Sequence, residues 1–129
     1  MNITIEELED YLFHNYGMWG KEQGLFMKLI EEIGEVAEVL NMRSGSKREN
    51  GENLRVQLAE ELADVIHYAV AIAAVNGIDL NRTILEKDKR AAVKYHHDVD
   101  LESFVRDRRK ESVENHILDA GMEASRFRI

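Results

Sequence analysis

The chain contains no cysteine and no proline. The first absence removes disulfides, zinc–thiolate sites and cysteine nucleophiles. The second, combined with abundant Glu, Leu, Ala, Lys and Ile, favours helices joined by short polar turns. Positive charge is in short supply: 17 Lys plus Arg stand against 25 Asp plus Glu, a net charge of −8. Such a chain is poorly suited to coating a nucleic-acid polymer or an anionic membrane by bulk charge. Handling a phosphate compound would need a local remedy for the repulsion, and metal ions are the obvious one. Long apolar runs are also missing. The longest, Tyr68 to Val75, is far too short to cross a bilayer. The N-terminal MNITIEELED is acidic and lacks the basic-then-apolar shape of a signal peptide, so a cytoplasmic protein is expected. What is present is 129 residues, 44% apolar and 33% charged. That is the composition of one globular domain with a small core, for which self-association is a reasonable expectation.

Five helices are predicted along the chain. Thr4 and Glu7 form a capping-box pattern ahead of Ile5, Leu8 and Leu12, giving a helix from about Ile5 to His14. NYGMWG breaks it and places Trp19 in a glycine-flanked loop. A second helix runs from about Lys21 or Gly24 to Met42, followed by the polar turn Ser44 to Asn53. A third spans Leu54 to Val75 and stops at Asn76-Gly77. Asp79 is placed to cap a fourth, Leu80 to about His97. After HDVD, a sparser apolar set predicts a fifth from Leu101 to Leu118, with the last residues loosely held. No stretch alternates long enough to argue for a strand. The expected architecture is an all-α antiparallel bundle of four to five helices, with its core completed by oligomerisation. Residues 1–98 form the principal domain and 99–129 a C-terminal helical extension.

An acidic pattern occurs twice. EEIGEV (Glu31 to Val36) lies on the second helix and EELADV (Glu60 to Val65) on the third, and a short turn between them makes the two helices antiparallel neighbours. With Glu32 set to zero, Leu25, Val36, Leu29 and Leu40 fall between about +20° and +80° and Val39 at about −20°, at 100° per residue. Glu32 is thus embedded in the apolar stripe, with Glu35 on its flank at about −60°. On the third helix Glu61 sits in the same way among Leu54, Leu58, Val65, Tyr68 and Ile72, with Asp64 at about −60°. An unpaired carboxylate in a packing face costs several kcal/mol. Four converging carboxylates would also repel one another. Raised pKa values or bound cations would relieve them, and oxygen-only ligands suit Mg²⁺ or Mn²⁺ better than zinc. Gly34 and Ala63, between the acids of each pair, keep bulk low there; Gly34 costs about 1 kcal/mol of helix propensity and asks for a packing reason. The competing reading is that Glu-Glu pairs are common on solvated faces, and Glu31, Glu38 and Glu60 fit it.

EEIGE (Glu31 to Glu35), then 25 residues, then ELAD (Glu61 to Asp64) resembles the EExxE…ExxD pattern of the MazG-type all-α nucleotide pyrophosphohydrolases. The continuation DVIHYAVAIAAVNGIDL, with Lys87 and Lys94-Tyr95, extends the similarity, which covers about Trp19 to Tyr95. The resemblance implies a helical bundle completed as a homodimer or homotetramer. It also implies Mg²⁺-dependent hydrolysis of a nucleoside triphosphate, including a dNTP or non-standard NTP, to the monophosphate and pyrophosphate. By position, Glu32, Glu35, Glu61 and Asp64 would be metal ligands and Glu31 part of the same cluster. Tyr68 would lie near the base, and Lys87 and Tyr95 towards the phosphates or ribose. The chain departs from many relatives at Ala91, where they carry Asn, and from some at Met42, where they carry Trp.

Hydrolysis at the α-phosphorus needs an oriented water, and Glu35 or Glu31 would activate it. Arg82, Lys87, Lys89, Arg90 and Lys94 are available against polyphosphate charge, or form an ordinary solvated face. Trp19 either covers the base or anchors its loop. His96-His97-Asp98 either holds a second metal or ends a helix. Two further classes compete with the hydrolase: a di-iron carboxylate bundle and a non-catalytic helical adaptor. The former needs Glu-x-x-His on two helices, and this chain offers only Asp64-x-x-His67. Phosphoribosyl-ATP hydrolysis is a substrate alternative within the first class.

Overall fold

The computed structural model describes residues 1–17, 20–45 and 51–126. Among these lie five helices and no strand: α1 (Ile5–Tyr16), α2 (Glu22–Gly45), α3 (Gly51–Val75), α4 (Leu80–Lys94) and α5 (Leu101–Arg126). The all-α expectation is met. Trp19, Lys47 and Arg48 lie outside the described residues. The chain divides into two compact units, Met1–Asn81 and Arg82–Ile129.

In the first unit α3 packs against both α2 and α1. Leu12 of α1, Leu25 of α2 and Val70, Ala71 and Ala74 of α3 form its buried cluster, flanked by Leu8, Tyr16, Tyr68, Ile72, Val75 and Leu80. Early α2 therefore meets late α3, so the two helices run antiparallel, as the short turn between the acidic motifs requires. The α1 capping box is complete: Glu7 N–H donates to Thr4 Oγ1 at 3.1 Å and Thr4 N–H to Glu7 Oε1 at 2.8 Å. Helix α3 ends at Gly77, whose φ of 65° allows Ile78 N–H to reach Ala73 O at 2.9 Å. This is the Schellman closure that glycine permits without steric cost. Tyr16 Oη and His67 Nε2 lie 2.9 Å apart and tie α1 to α3. Leu80 N–H donates to Glu9 Oε1 at 2.9 Å.

Four expectations need correction. The polar turn is shorter than Ser44 to Asn53, because α2 runs on to Gly45 and α3 opens at Gly51. Leu40, placed in the buried stripe, is 48% exposed, because about +80° is already the edge of that stripe. Helix α4 stops at Lys94, short of His97: His97 N–H closes back on Ala92 O at 2.9 Å, with His96 at φ 57°. Helix α5 continues to Arg126, beyond Leu118; its last two turns contain Gly121, a poor helix former, and no apolar rhythm to announce them.

In the second unit, Asp88 on α4 accepts Leu101 N–H at 2.7 Å, and Asp100 accepts Ser103 N–H at 2.8 Å, capping α5. Lys89 pairs with Glu102 at 3.3 Å.

Candidate metal centre

Helical periodicity carries the site. The stripe of α2 that buries Leu25 and Val39 also buries Glu32, which is 8% exposed and is the buried charged residue among the described residues. The matching stripe of α3 buries Leu54 and leaves Glu61 half-buried. Antiparallel packing brings the two motifs together. Glu32, Glu61 and Asp64 each present a carboxylate oxygen, and the three oxygens lie within 4.8 Å of one another.

The electrostatics of this cluster are unrelieved. Glu32 Oε2 and Glu61 Oε2 are buried and have no hydrogen-bond partner. A carboxylate oxygen can only accept, so such an atom awaits a proton or a cation. Glu61 is pushed from its usual 4.5 up to about 7, first by the neighbouring Glu35 carboxyl, then by burial and by Glu32. Glu32 is raised by burial, then by Glu35. Glu35 therefore lies against both, although its oxygens stand outside the 4.8 Å group. The donor set is all oxygen and two of its atoms are orphaned, which fits a hard divalent cation.

The other expected residues are placed as follows. Glu31 is exposed and ion-paired with Lys28 at 3.2 Å. Tyr68 packs on the buried cluster, its ring edge-on to His67 at 4.9 Å. Its hydroxyl is raised mainly by burial. Lys87 is exposed on α4, and Tyr95 is 60% exposed and stacked on His97 at 6.2 Å. His67, the imidazole a di-iron site would need, is engaged with Tyr16 and is not part of the carboxylate group.

Gly34 lacks the packing reason asked of it. A Cβ there would meet nothing within 4 Å, because Gly34 lies about −160° from Glu32, on the far side of α2. One residue escaped sequence reasoning. Lys28 stands one turn before Glu32, at about −40° on the same face. Its ammonium is held charged by Glu31, and the fields of Tyr68 and Glu32 act in the same direction. The i−4 spacing was the available signal.

The pattern of the MazG nucleotide pyrophosphohydrolase domain matches residues 21–94. dCTP pyrophosphatase 1 of Rattus norvegicus is 37% identical over 70 residues, covering 50% of this chain and 40% of that protein. The chain thus spans about two fifths of the length of that curated relative. The matched region takes in the whole acidic cluster and more than half of the sequence, and the chain belongs to the MazG nucleotide pyrophosphohydrolase domain family.

Proposed function

We propose that this protein is a Mg²⁺-dependent nucleoside triphosphate pyrophosphohydrolase that releases the monophosphate and pyrophosphate. The observation that carries the reading is the pair of donorless carboxylate oxygens, on Glu32 and Glu61, converging with Asp64 between two helices. Family membership and the likeness to a dCTP pyrophosphatase support it, and make a pyrimidine deoxynucleoside triphosphate the first substrate to test.

Glu32, Glu61 and Asp64 would hold the cation, with Glu35 completing the set as a fourth carboxylate. A bound Mg²⁺ would neutralise phosphate oxygens, stabilise the pyrophosphate leaving group and lower the pKa of water. Glu35, half-buried beside Glu61, would accept the proton as the water oxygen bonds to the α-phosphorus and the bond to the bridging oxygen breaks. Glu31 is the second choice for that role, because Lys28 already engages it. Lys28 supplies a cation beside the carboxylates for the polyphosphate. Tyr68, Lys87, Tyr95 and Trp19 are the proposed contacts to base, ribose and phosphates. The enzymatic domain is residues 1–98, and residues 99–129 extend it.

A homo-oligomer is part of this reading. Phe26, Ile33 and Leu40 on α2, and Leu62 and Ile66 on α3, are each 45–52% exposed. All fall between about +80° and +140° from the acidic residue of their helix. In an antiparallel pair those sectors lie on the same side, opposite the flank of Glu35 and Asp64. An apolar face of this kind suits a second copy. A cytoplasmic location is consistent with the described residues, in which no helix is long and apolar enough to cross a membrane.

The test is product analysis with Mg²⁺ over a panel of nucleotides that includes dCTP and phosphoribosyl-ATP, run beside Glu61→Gln. Monophosphate and pyrophosphate from the wild type alone support the hydrolase. Equal background from both proteins would instead assign a non-catalytic adaptor.

A further inference from the structure

We propose that α5 is a self-association helix that pairs antiparallel with α5 of a second copy. The inference is independent of the hydrolase reading. Helix α5 is 26 residues long, and every described side chain from Arg106 to Glu123 is exposed. It nevertheless carries a largely apolar strip formed by Ser112, Val113, His116, Ile117 and Ala120. With Val113 at zero, Ala120 falls at about −20° and Ile117 at about +40°, a seam at coiled-coil spacing.

The charges on either side of the seam are segregated. Residues 106–110 hold Arg106, Arg108, Arg109 and Lys110 against Asp107 alone. Residues 111–123 hold Glu111, Glu114, Asp119 and Glu123 and neither Lys nor Arg. Within a single helix this order is unfavourable, since acids towards the C-terminal end oppose the macrodipole, and Arg106 is offset by Glu102 one turn earlier, at 3.8 Å. A parallel partner would set like charges together. An antiparallel partner centred between Glu114 and Asn115 sets Val113 against His116 and Ile117. The same register lays Arg106 and Arg109 of one helix along Asp119 and Glu123 of the other. Arg109, Asp119 and Glu123 share one flank of the seam, at about −40° to −120°, so the pairing is geometrically open. The contact is isologous, as a two-fold requires. It uses none of the exposed apolar residues of α2 and α3.

The experiment measures the mass of the full chain in solution by light scattering and sedimentation, with helicity followed by circular dichroism. Val113→Glu with Ile117→Glu should halve the wild-type mass. Arg106→Glu with Arg109→Glu should also reduce it, and high salt should weaken the wild-type pairing. Adding Asp119→Arg and Glu123→Arg to that second variant swaps the two charge clusters and should restore the wild-type mass. The charge series decides the matter if the seam variant fails to fold. Orientation is read from a spin label at Asp107→Cys, in a chain with no other cysteine. The antiparallel register places the two labels roughly 25 Å apart, against roughly 10 Å for a parallel pair. Masses indifferent to all these substitutions, a swap that does not restore association, or the shorter separation would overturn the proposal.

Discussion

The same residue types are treated in opposite ways in two parts of this molecule. At the starts of α1 and α5, Glu7 and Asp100 accept backbone N–H groups, from Thr4 and Ser103, and both carboxyls are pulled below their ordinary values mainly by those bonds. Between α2 and α3, Glu32 and Glu61 are given burial and further carboxylates in place of donors, and both are pushed up. Helix ends offer free N–H groups, whereas a helix middle has spent them all. An acid at an end is therefore satisfied by the fold itself. An acid in a mid-helix packing face is left for something the fold does not contain, which is the physical basis for reading this cluster as a cation site.

The substitution expected to have the largest effect is Glu61→Gln. It should reduce pyrophosphohydrolase activity by at least about a hundredfold and abolish saturable Mn²⁺ binding, measured by product release and calorimetry. Glu7→Gln, at a capped end, should leave both unchanged; if the two variants behaved alike, the contrast between the regions would collapse.

The next effect concerns the metal-free protein. Between 4.5 and about 7 the folded state holds a proton on Glu61 that the unfolded state has released. This contribution to stability is present in full below 4.5 and declines as pH rises through that window. Denaturant titrations should show it, and in Glu61→Gln the decline should be much reduced. The variant should therefore exceed the wild type most at neutral and higher pH, where its amide can donate to Glu32 or Glu35. A wild type whose stability climbs through the window would contradict the carboxylate repulsion.

Smaller effects sharpen the comparison at the helix ends. Thr4→Ala removes one half of the α1 capping box and should cost about 1 kcal/mol of stability with no change in metal affinity. His96→Gly should add up to about 1 kcal/mol. His96 occupies the left-handed position at the end of α4 that Gly77 occupies after α3, and a residue with a Cβ is strained there. Thermal melts of the two variants, run with and without Mn²⁺, check both.

Much of this was legible in the sequence because it follows from periodicity. The embedded positions of Glu32 and Glu61 come from angular arithmetic alone, as do the capping box at Thr4 and the stop at Gly77. What the sequence did not show depends on partners brought from elsewhere in the chain. The Tyr16–His67 bond spans 51 residues, and Glu9 reaches Leu80 across 71. The end of α4 is hidden from the sequence because the turn is made by His96 in a backbone conformation usually left to glycine or asparagine. The sequence does not announce the full length of α5, because its last turns carry no apolar rhythm. Gly34 misled for a related reason: its open space faces away from the acids, a fact about side that a one-dimensional spacing between two glutamates conceals.

The central claim is that Glu32, Glu61 and Asp64 together hold a divalent cation. Calorimetric titration of the metal-free protein with Mn²⁺, repeated in buffers of different ionisation enthalpy, tests it most directly. The account predicts saturable binding with proton release near neutral pH, absent from Glu61→Gln. Binding of equal strength in both proteins, or uptake by the wild type without any proton release, would contradict it.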